Sequence, residues 1–356
     1  MPVEPGFWAG RRVLVTGNTG FKGSWLTLWL HAMGAEVIGL ANGVPTQPAL
    51  FELARLDELV TMIDADVRDA EAVRRAVADH APQVLVHLAA QPIVRRSFAE
   101  PLETFQTNVM GTVNVLEAVR LAGSVEAVVI VTSDKCYENR EWEWAYREYE
   151  AMGGFEPYSA SKGCAELVTQ SYRRSYFSDP DGPRVATARA GNVVGGGDWA
   201  ADRLLPDIMR AAVAGERVHL RNPESQRPWQ HVLNPLSGYL LLAQALHADA
   251  DFAGAWNFGP PDDEARTVRW IVERVAELWP GGLEWDAAAG PHPPEAQYLK
   301  LDSSKARTRL DWAPLLSLGE ALESIVAWYA AVRDGEDMRE VTLGQIAAHG
   351  AAHEPA

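Results

Sequence analysis

The chain opens on a short β-branched apolar run, Arg12-Val13-Leu14-Val15-Thr16, which stops at Gly17 and gives way to an apolar helical stretch, Ser24–Met33. Gly34-Ala35 ends that helix, and Glu36–Leu40 reads as a second strand. The alternation continues. Thr61–Ala65 reads as a short strand, Asp69–His80 as a helix, and Gln83–Leu88 as an apolar strand. Pro101–Ala122 has the period of one long amphipathic helix, Glu126–Thr132 that of a strand, Ser159–Tyr176 a helix and Arg184–Arg189 a sixth strand. Strands alternating with helices predict the α/β class: a Rossmann-type doubly wound parallel sheet with both faces covered.

Beyond Ala190 the pattern changes. Gly191–Asp198 is glycine-rich, and Pro206, Pro223, Pro228 and Pro235 punctuate the next stretch. Trp256–Gly259 reads as a strand returning to the main sheet, and Val268–Trp279 and Leu318–Val332 as helices. The expected organisation is a Rossmann domain over residues 1–190, with a return segment at about 229–260. A smaller C-terminal α/β domain takes 191–228 and 261–356. The last twenty or so residues are polar and Ala-rich, and their pattern assigns no element.

A chain of 356 residues can bury a sizeable core. Its net charge of −16 argues against general binding of nucleic acid or anionic membranes. That charge leaves room for an anionic small molecule, since a few local Arg residues outweigh distant charge. The two cysteines, Cys136 and Cys164, suggest no disulfide scaffold. There is no uninterrupted apolar run of membrane-spanning length, and the N-terminus lacks a signal-peptide pattern. The expectation is a soluble cytoplasmic protein with no metal site.

Gly17-Asn18-Thr19-Gly20-Phe21-Lys22-Gly23 is a G-x-x-G-x-x-G turn between a strand and a helix. Glycines there allow a tight turn and close approach of backbone to a pyrophosphate, with the helix N-terminus supplying N–H groups. Alone, such a triad is equally a plain turn; its strand and helix context favours a dinucleotide. Gly17, Thr19, Gly20, Phe21 and Gly23 are thus candidate cofactor residues. The second strand leads into Leu40-Ala41-Asn42 without the usual ribose-binding acid. Asn42 can still bond a ribose, and no Arg adjoins it in sequence, which favours NAD over NADP. Asp66-Val67, after the third strand, suits an adenine edge or is an ordinary loop.

Tyr158 and Lys162 lie four apart, on one helix face. A phenol with a pKa of about 10 is a poor base at neutral pH, and a nearby ammonium or a positive nicotinamide favours its ionised form. Ser133-Asp134-Lys135 ends the fifth strand, at the edge that faces ligands in this architecture. Ser133 suits a substrate hydroxyl. Composition alone reads S-D-K as a solvated turn.

The glycine turn, Ser133, and Tyr158 with Lys162 resemble the extended short-chain dehydrogenase/reductases. GNTGFKGSWLTLWL, HLAAQPIVRRS, VTSDKCYEN, PYSASKGCAELVT, ARAGNVVGGGDWAADRLLPD and RPWQHVLNPLSGYLLLA resemble the CDP-glucose 4,6-dehydratase family in particular. The likeness runs from about Trp8 to about Tyr329. It implies a hydro-lyase that binds NAD and a nucleoside-diphosphate sugar and yields a 4-keto-6-deoxy product by transient oxidation at C4. Tyr158 would deprotonate the C4 hydroxyl and Asp134 would protonate the leaving C6 hydroxyl. Lys135, where many related dehydratases carry Glu, would serve C5. The resemblance adds Leu88, Ala89 and Ala90 to the cofactor residues, and Gln91, Arg95, Asn192, Arg227 and Tyr298 to the substrate residues. It further implies a homodimer formed through the helices Pro101–Ala122 and Ser159–Tyr176, whose apolar stripes could equally just cover the sheet. Asn18 stands where His is expected, and His231 where many relatives carry an acid. Trp25, Trp29, Trp229, Trp270, Trp285 and Trp328 could suit sugar stacking, but most are read as packing in the core or covering it, and none as catalytic. An epimerase or reductase on the same fold would need Ser133, Tyr158 and Lys162 without the adjacent acid. A silent NAD-binding protein would show a broken Tyr/Lys pair or turn.

Overall fold

A computed structural model describes residues 2–179, 181–287 and 299–351. Seven parallel strands form the central sheet. In chain order they are β1 (Arg12–Thr16), β2 (Glu36–Ala41), β3 (Thr61–Asp64), β4 (Val84–His87), β5 (Ala127–Val131), β6 (Arg184–Arg189) and a returning strand, Gly254–Asn257. Across the sheet the order is return, 6, 5, 4, 1, 2, 3. The order reverses around β1 and β4, where Val15 lies between Gly39 of β2 and Val86 of β4. A crevice at that reversal is where doubly wound sheets place their ligands.

Period-two alternation divides β1 between two cores. Val13 and Val15 join the larger cluster with Trp8, Trp25 and Trp328, and Leu14 joins Ile38, Val115 and Val128 on the other face. The expected α/β doubly wound sheet is the one observed. Three short two-stranded ladders lie outside it: Val193–Val194 with Gln230–His231, Gln226–Pro228 with Ala265–Thr267, and Val218–Leu220 with Trp285–Ala287.

Three readings are corrected by the structure. The returning strand is Gly254–Asn257, two residues earlier than Trp256–Gly259; its partner β6 ends at Arg189, opposite Asn257, and one more backbone bond, from the Phe258 amide to the Arg189 carbonyl at 2.8 Å, closes the ladder. The helix expected over Pro101–Ala122 contains a wider π-helical turn at Gln106–Met110. There Asn108 accepts from the Gln91 amide at 2.8 Å and donates to the Gln91 carbonyl at 3.1 Å and to Ser161 Oγ at 2.8 Å. A specific side-chain demand therefore overrides the regular period. The C-terminal stretch forms a helix, Met338–Ala351, with Met338 and Ile346 in the main core. Trp328 Nε1 donates to Thr342 Oγ1 at 2.9 Å, and His349 meets the Trp29 ring edge-on. Trp25, Trp29 and Trp328 are buried in the core, whereas Trp229, Trp270 and Trp285 are half-buried against it and Trp229 also lines the cleft.

Among the described residues no helix is long and apolar enough to cross a membrane. Replacing Trp328 by Ala removes both the cover over the Met338–Ala351 helix and a bonded indole. We expect a loss of about 3–5 kcal/mol, measured by denaturant unfolding.

Candidate active site

The C-terminal edge of the sheet opens into one cleft of about 1950 Å³, lined from both halves of the chain. Single-ligand pockets run to about 1,000 Å³, so this cleft has room for a dinucleotide and a second nucleotide side by side.

The glycine turn forms the floor at one end. Gly17 has φ +71°, and a Cβ there would fall 2.8 Å from the Ala89 backbone. A Cβ on Gly23 would fall 2.0 Å from the Gly17 carbonyl oxygen. Only bare backbone fits, and that leaves the first N–H groups of the helix Phe21–Ala32 facing the cleft. This cradle fits the pyrophosphate of NAD. Thr19 is tied to the Gly43 carbonyl at 2.8 Å. Asn18 points away, buried against Gly39 and Met62 beneath the sheet, and so stands apart from the cofactor floor.

Asn42, Asp66, Val67, Leu88, Ala89 and Ala90 line the same end. Asn42 Nδ2 donates to Asp66 Oδ2 at 2.8 Å, and Asp66 is gripped by Arg68 at 2.6 Å. Bonding from Arg68, against a smaller burial effect, holds the Asp66 carboxyl below its usual range. No Arg neighbours Asn42 in sequence, yet the fold brings Arg68 to it through one shared carboxylate.

At the centre, Ser133 Oγ donates to Asp134 Oδ1 at 2.8 Å. Asp134 is 4 % exposed, and its carboxylate fills the space that any side chain at Gly191 would take. Tyr158 begins the helix Pro157–Ser175, whose N-terminus is capped by the Glu156 carboxylate bonding the Tyr158 amide at 2.6 Å. Lys162 Nζ donates to the Val131 carbonyl at 3.2 Å. Burial pushes the Tyr158 phenol up to about 12, against a hydrogen bond shared with Ser133, and pushes the Lys162 ammonium down to about 8. The expected catalytic residues thus converge. Lys135 is half-buried on the cleft wall, less enclosed than Lys162.

Among the expected substrate residues, Arg95, Asn192 and Arg227 line the cleft. Arg95 is paired with Asp202 at 2.8 Å, and Arg221 approaches the same carboxylate at 3.6 Å. Gln91 also lines the cleft, but its side chain already bonds Thr104 and the Ile93 amide. Tyr298 lies outside the described residues. His231 is fully buried, accepts from the Leu233 amide and packs on Trp25. Burial lowers its pKa to about 3, so it stays neutral in the core. Among the described residues no cluster of His, Cys, Asp or Glu could hold a metal ion.

Three cleft residues escaped the sequence reading. Arg203 lines the cleft, is anchored to Asp198 at 2.9 Å, and acts electrostatically on Tyr158. Arg221 adds a second cation beside Arg95. Lys22, inside the glycine motif, sets its amine over the Tyr239 ring at 5.9 Å. Burial, then the charges of Arg203 and Lys162, lower the Lys22 amine to about 7. A cation inside a glycine turn was the available signal for Lys22. Nothing local marks the two Arg residues.

This fold and this Ser–Tyr–Lys constellation define an extended short-chain dehydrogenase/reductase. Residues 13–259 match the model of the NAD dependent epimerase/dehydratase family, and the chain belongs to that family. It is 53 % identical to the CDP-glucose 4,6-dehydratase of Salmonella typhimurium over 341 residues, covering 94 % of this chain and 95 % of that enzyme. It is 24 % identical to the dTDP-glucose 4,6-dehydratase of Escherichia coli, covering 89 % and 93 %. Among solved structures it resembles DesIV, a dTDP-glucose 4,6-dehydratase from Streptomyces venezuelae with NAD and TYD bound. There the TM-score is 0.75 and the identity 25 %, with 92 % of this chain and 99 % of that one covered. The UDP-glucose 4-epimerase of Thermotoga maritima shares the fold, with TM-score 0.77 at 22 % identity, covering 90 % and 99 %.

The Lys22 shift predicts a stability effect with a definite sign. The amine falls from its ordinary 10.5 to about 7 on folding. Its burden on stability is absent above the ordinary value, grows as pH falls through that window, and is complete below about 7. Lys22→Met should therefore raise Tm, with a larger gain at about pH 6.5 than at about pH 10. Calorimetry across pH checks this, and an equal gain at both ends contradicts it.

Proposed function

We propose that the chain dehydrates CDP-glucose to the 4-keto-6-deoxy sugar, with NAD bound on the glycine cradle. The observation that carries this reading is the buried Asp134, bonded to Ser133 beside Tyr158. Oxidation at C4 needs only Ser133, Tyr158 and Lys162. A carboxyl group next to the oxidised carbon is surplus to that step and suits expulsion of a neighbouring hydroxyl.

NAD, held by the glycine turn at 17–23 with Asn42 and Asp66, would supply a reversible hydride acceptor for C4 and hydride donor for C6. Ser133 orients the C4 hydroxyl, and Tyr158 accepts its proton. The Tyr158 phenol is held near 12 by burial, so ionisation depends on the cations around it, Lys162 and Arg203 among them. Once C4 is a ketone, the C5 proton is acidic. Lys135, in its neutral form, takes that proton and later restores it. The proton that Tyr158 took from the C4 hydroxyl, relayed through Ser133 to Asp134, goes to the C6 hydroxyl as water leaves. At the far end, Arg95, Arg221 and Arg227 supply cations for the diphosphate, and Asn192 contacts the diphosphate or the sugar. Planar guanidiniums suit that anion. In this division of labour, residues 1–190 with about 229–260 hold NAD, and the remainder holds the nucleotide sugar.

We also propose a homodimer. Phe98, Leu102, Met110 and Leu167 are between 49 % and 70 % exposed on the outer side of the helices between Val94 and Ser175. Large exposed apolar side chains on helices that pack together suit an interface. A cytoplasmic location fits two free cysteines.

Incubation with NAD and CDP-, UDP-, dTDP- and GDP-glucose, followed by mass, tests the activity. We expect loss of one water from the CDP sugar alone. Unchanged mass with an inverted hydroxyl would mean an epimerase. Tyr158→Phe should lower kcat by about 10²–10⁴-fold. Asp134→Asn should retain C4 oxidation, seen as transient absorbance at the reduced-nicotinamide band, while water loss falls. Lys135→Ala should stop C5 proton exchange with D2O. For the dimer, Leu102→Arg should delay elution to the monomer position, and an unchanged dimer mass rejects this face.

A further inference from the structure

Behind the catalytic pair lies a buried ion pair that the reaction scheme does not use. Glu166 sits four residues after Lys162 and eight after Tyr158, on the same face of the helix Pro157–Ser175. Glu166 and Arg189 are 5 % and 3 % exposed. The Glu166 carboxylate accepts four hydrogen bonds: Thr132 Oγ1 at 2.5 Å, Thr187 Oγ1 at 2.7 Å, Arg189 Nε at 2.9 Å and Arg189 Nη2 at 2.8 Å. Its donors come from the end of β5 and from β6, whereas the carboxylate belongs to the catalytic helix. Thr132 stands between Val131, whose carbonyl receives Lys162 Nζ, and Ser133.

A buried ion pair is a poor source of stability, since desolvation offsets its attraction and apolar packing does as well. What apolar packing cannot supply is a fixed charge. We propose that Glu166, locked by Arg189, is a positioning residue for Lys162: a permanent negative charge in the helix–sheet junction that keeps the enclosed ammonium charged and aimed at the cleft.

The local electrostatics agree. Burial alone would raise the Glu166 carboxyl; Arg189 and the two threonines hold it below its usual range. Burial lowers Lys162 to about 8, and the charge that most opposes this is Glu166, followed by the Cys136 thiol. The other titratable groups facing Lys162 are Tyr158 on its own helix, His87 at the end of β4 and Lys22 at the glycine turn. Burial keeps His87 neutral. Lys22, where charged, repels Lys162. Glu166 is thus the fixed carboxylate in this ring of groups.

The sequence contains only five lysines, Lys22, Lys135, Lys162, Lys300 and Lys305, so each can be followed by Cε resonance in 13C-lysine-labelled full-length protein. Lys162→Arg assigns the Lys162 signal. In Glu166→Gln the Lys162 midpoint should fall by about one pH unit, and Glu166→Asp should restore most of it. If Glu166→Gln leaves Arg189 stranded and does not fold, Glu166→Gln/Arg189→Gln removes both charges and should show the same fall. An unmoved Lys162 midpoint in the variant that folds overturns the proposal. Kinetics supply a second readout: with NAD and CDP-glucose, the alkaline limb of kcat should shift down with the midpoint while KM holds within about twofold. This arm alone rests on the dehydratase reading. Wild-type protein inert on CDP-glucose sinks that reading, and the NMR titration still decides the role of Glu166.

Discussion

In a parallel sheet every strand ends on the same edge, and each crossover helix begins there. All seven strands of the central sheet obey this constraint. The placement of the chemical groups is its result. The ends of β1, β4, β5 and β6 deliver the glycine turn, Leu88–Ala90, Ser133–Lys135 and Ala190–Asn192 to one rim. The helix N-termini that open there bring N–H groups without side chains, which suits a pyrophosphate. The same edge exposes carbonyls, and Lys162 takes one of them, Val131, as its anchor. Were one central strand reversed, its residues would leave the rim and the site would lose a wall.

Enclosure sets the ionisation of the groups so gathered. Tyr158, Lys162, Asp134 and Ser133 are each less than one-tenth exposed in a chain carrying a net charge of −16. At that depth surface charge is remote, and the balance among nearby groups decides which are charged. Burial drives the phenol up and the amine down. Both shifts disfavour the charged forms that the proposed C4 oxidation uses. The compensating charges are local: Glu166 acts on Lys162 and Arg203 on Tyr158.

The elements of the sheet were legible because their signals are local. β1 and β6 run over the residues that periodicity assigned, and the Tyr–Lys spacing lies on a helix face as four-residue spacing requires. What escaped was set by long-range contact. The π-helical turn exists because Asn108 reaches back to Gln91 and across to Ser161. The C-terminal helix has a weak apolar pattern of its own and is held by Trp328 and Trp29 from elsewhere in the chain. Arg203 and Arg221 sit in the irregular half, where no periodicity ties a residue to a face. Arg68 reaches Asn42 only through Asp66, a link between the ends of two strands.

The Asp202 carboxylate, set in left-handed backbone at φ +63°, bridges Arg95 from one half of the chain and Arg221 from the other. The mouth of the cleft therefore carries its own anion. A ligand whose phosphates reach those guanidiniums does not add a counter-ion to bare cations; it exchanges places with one. Its affinity is then the difference between two ion pairs rather than the strength of one, and so is the barrier to letting go. Such an arrangement holds the cations in register before the ligand arrives and offers them a partner as it departs, which favours traffic through the cleft over retention.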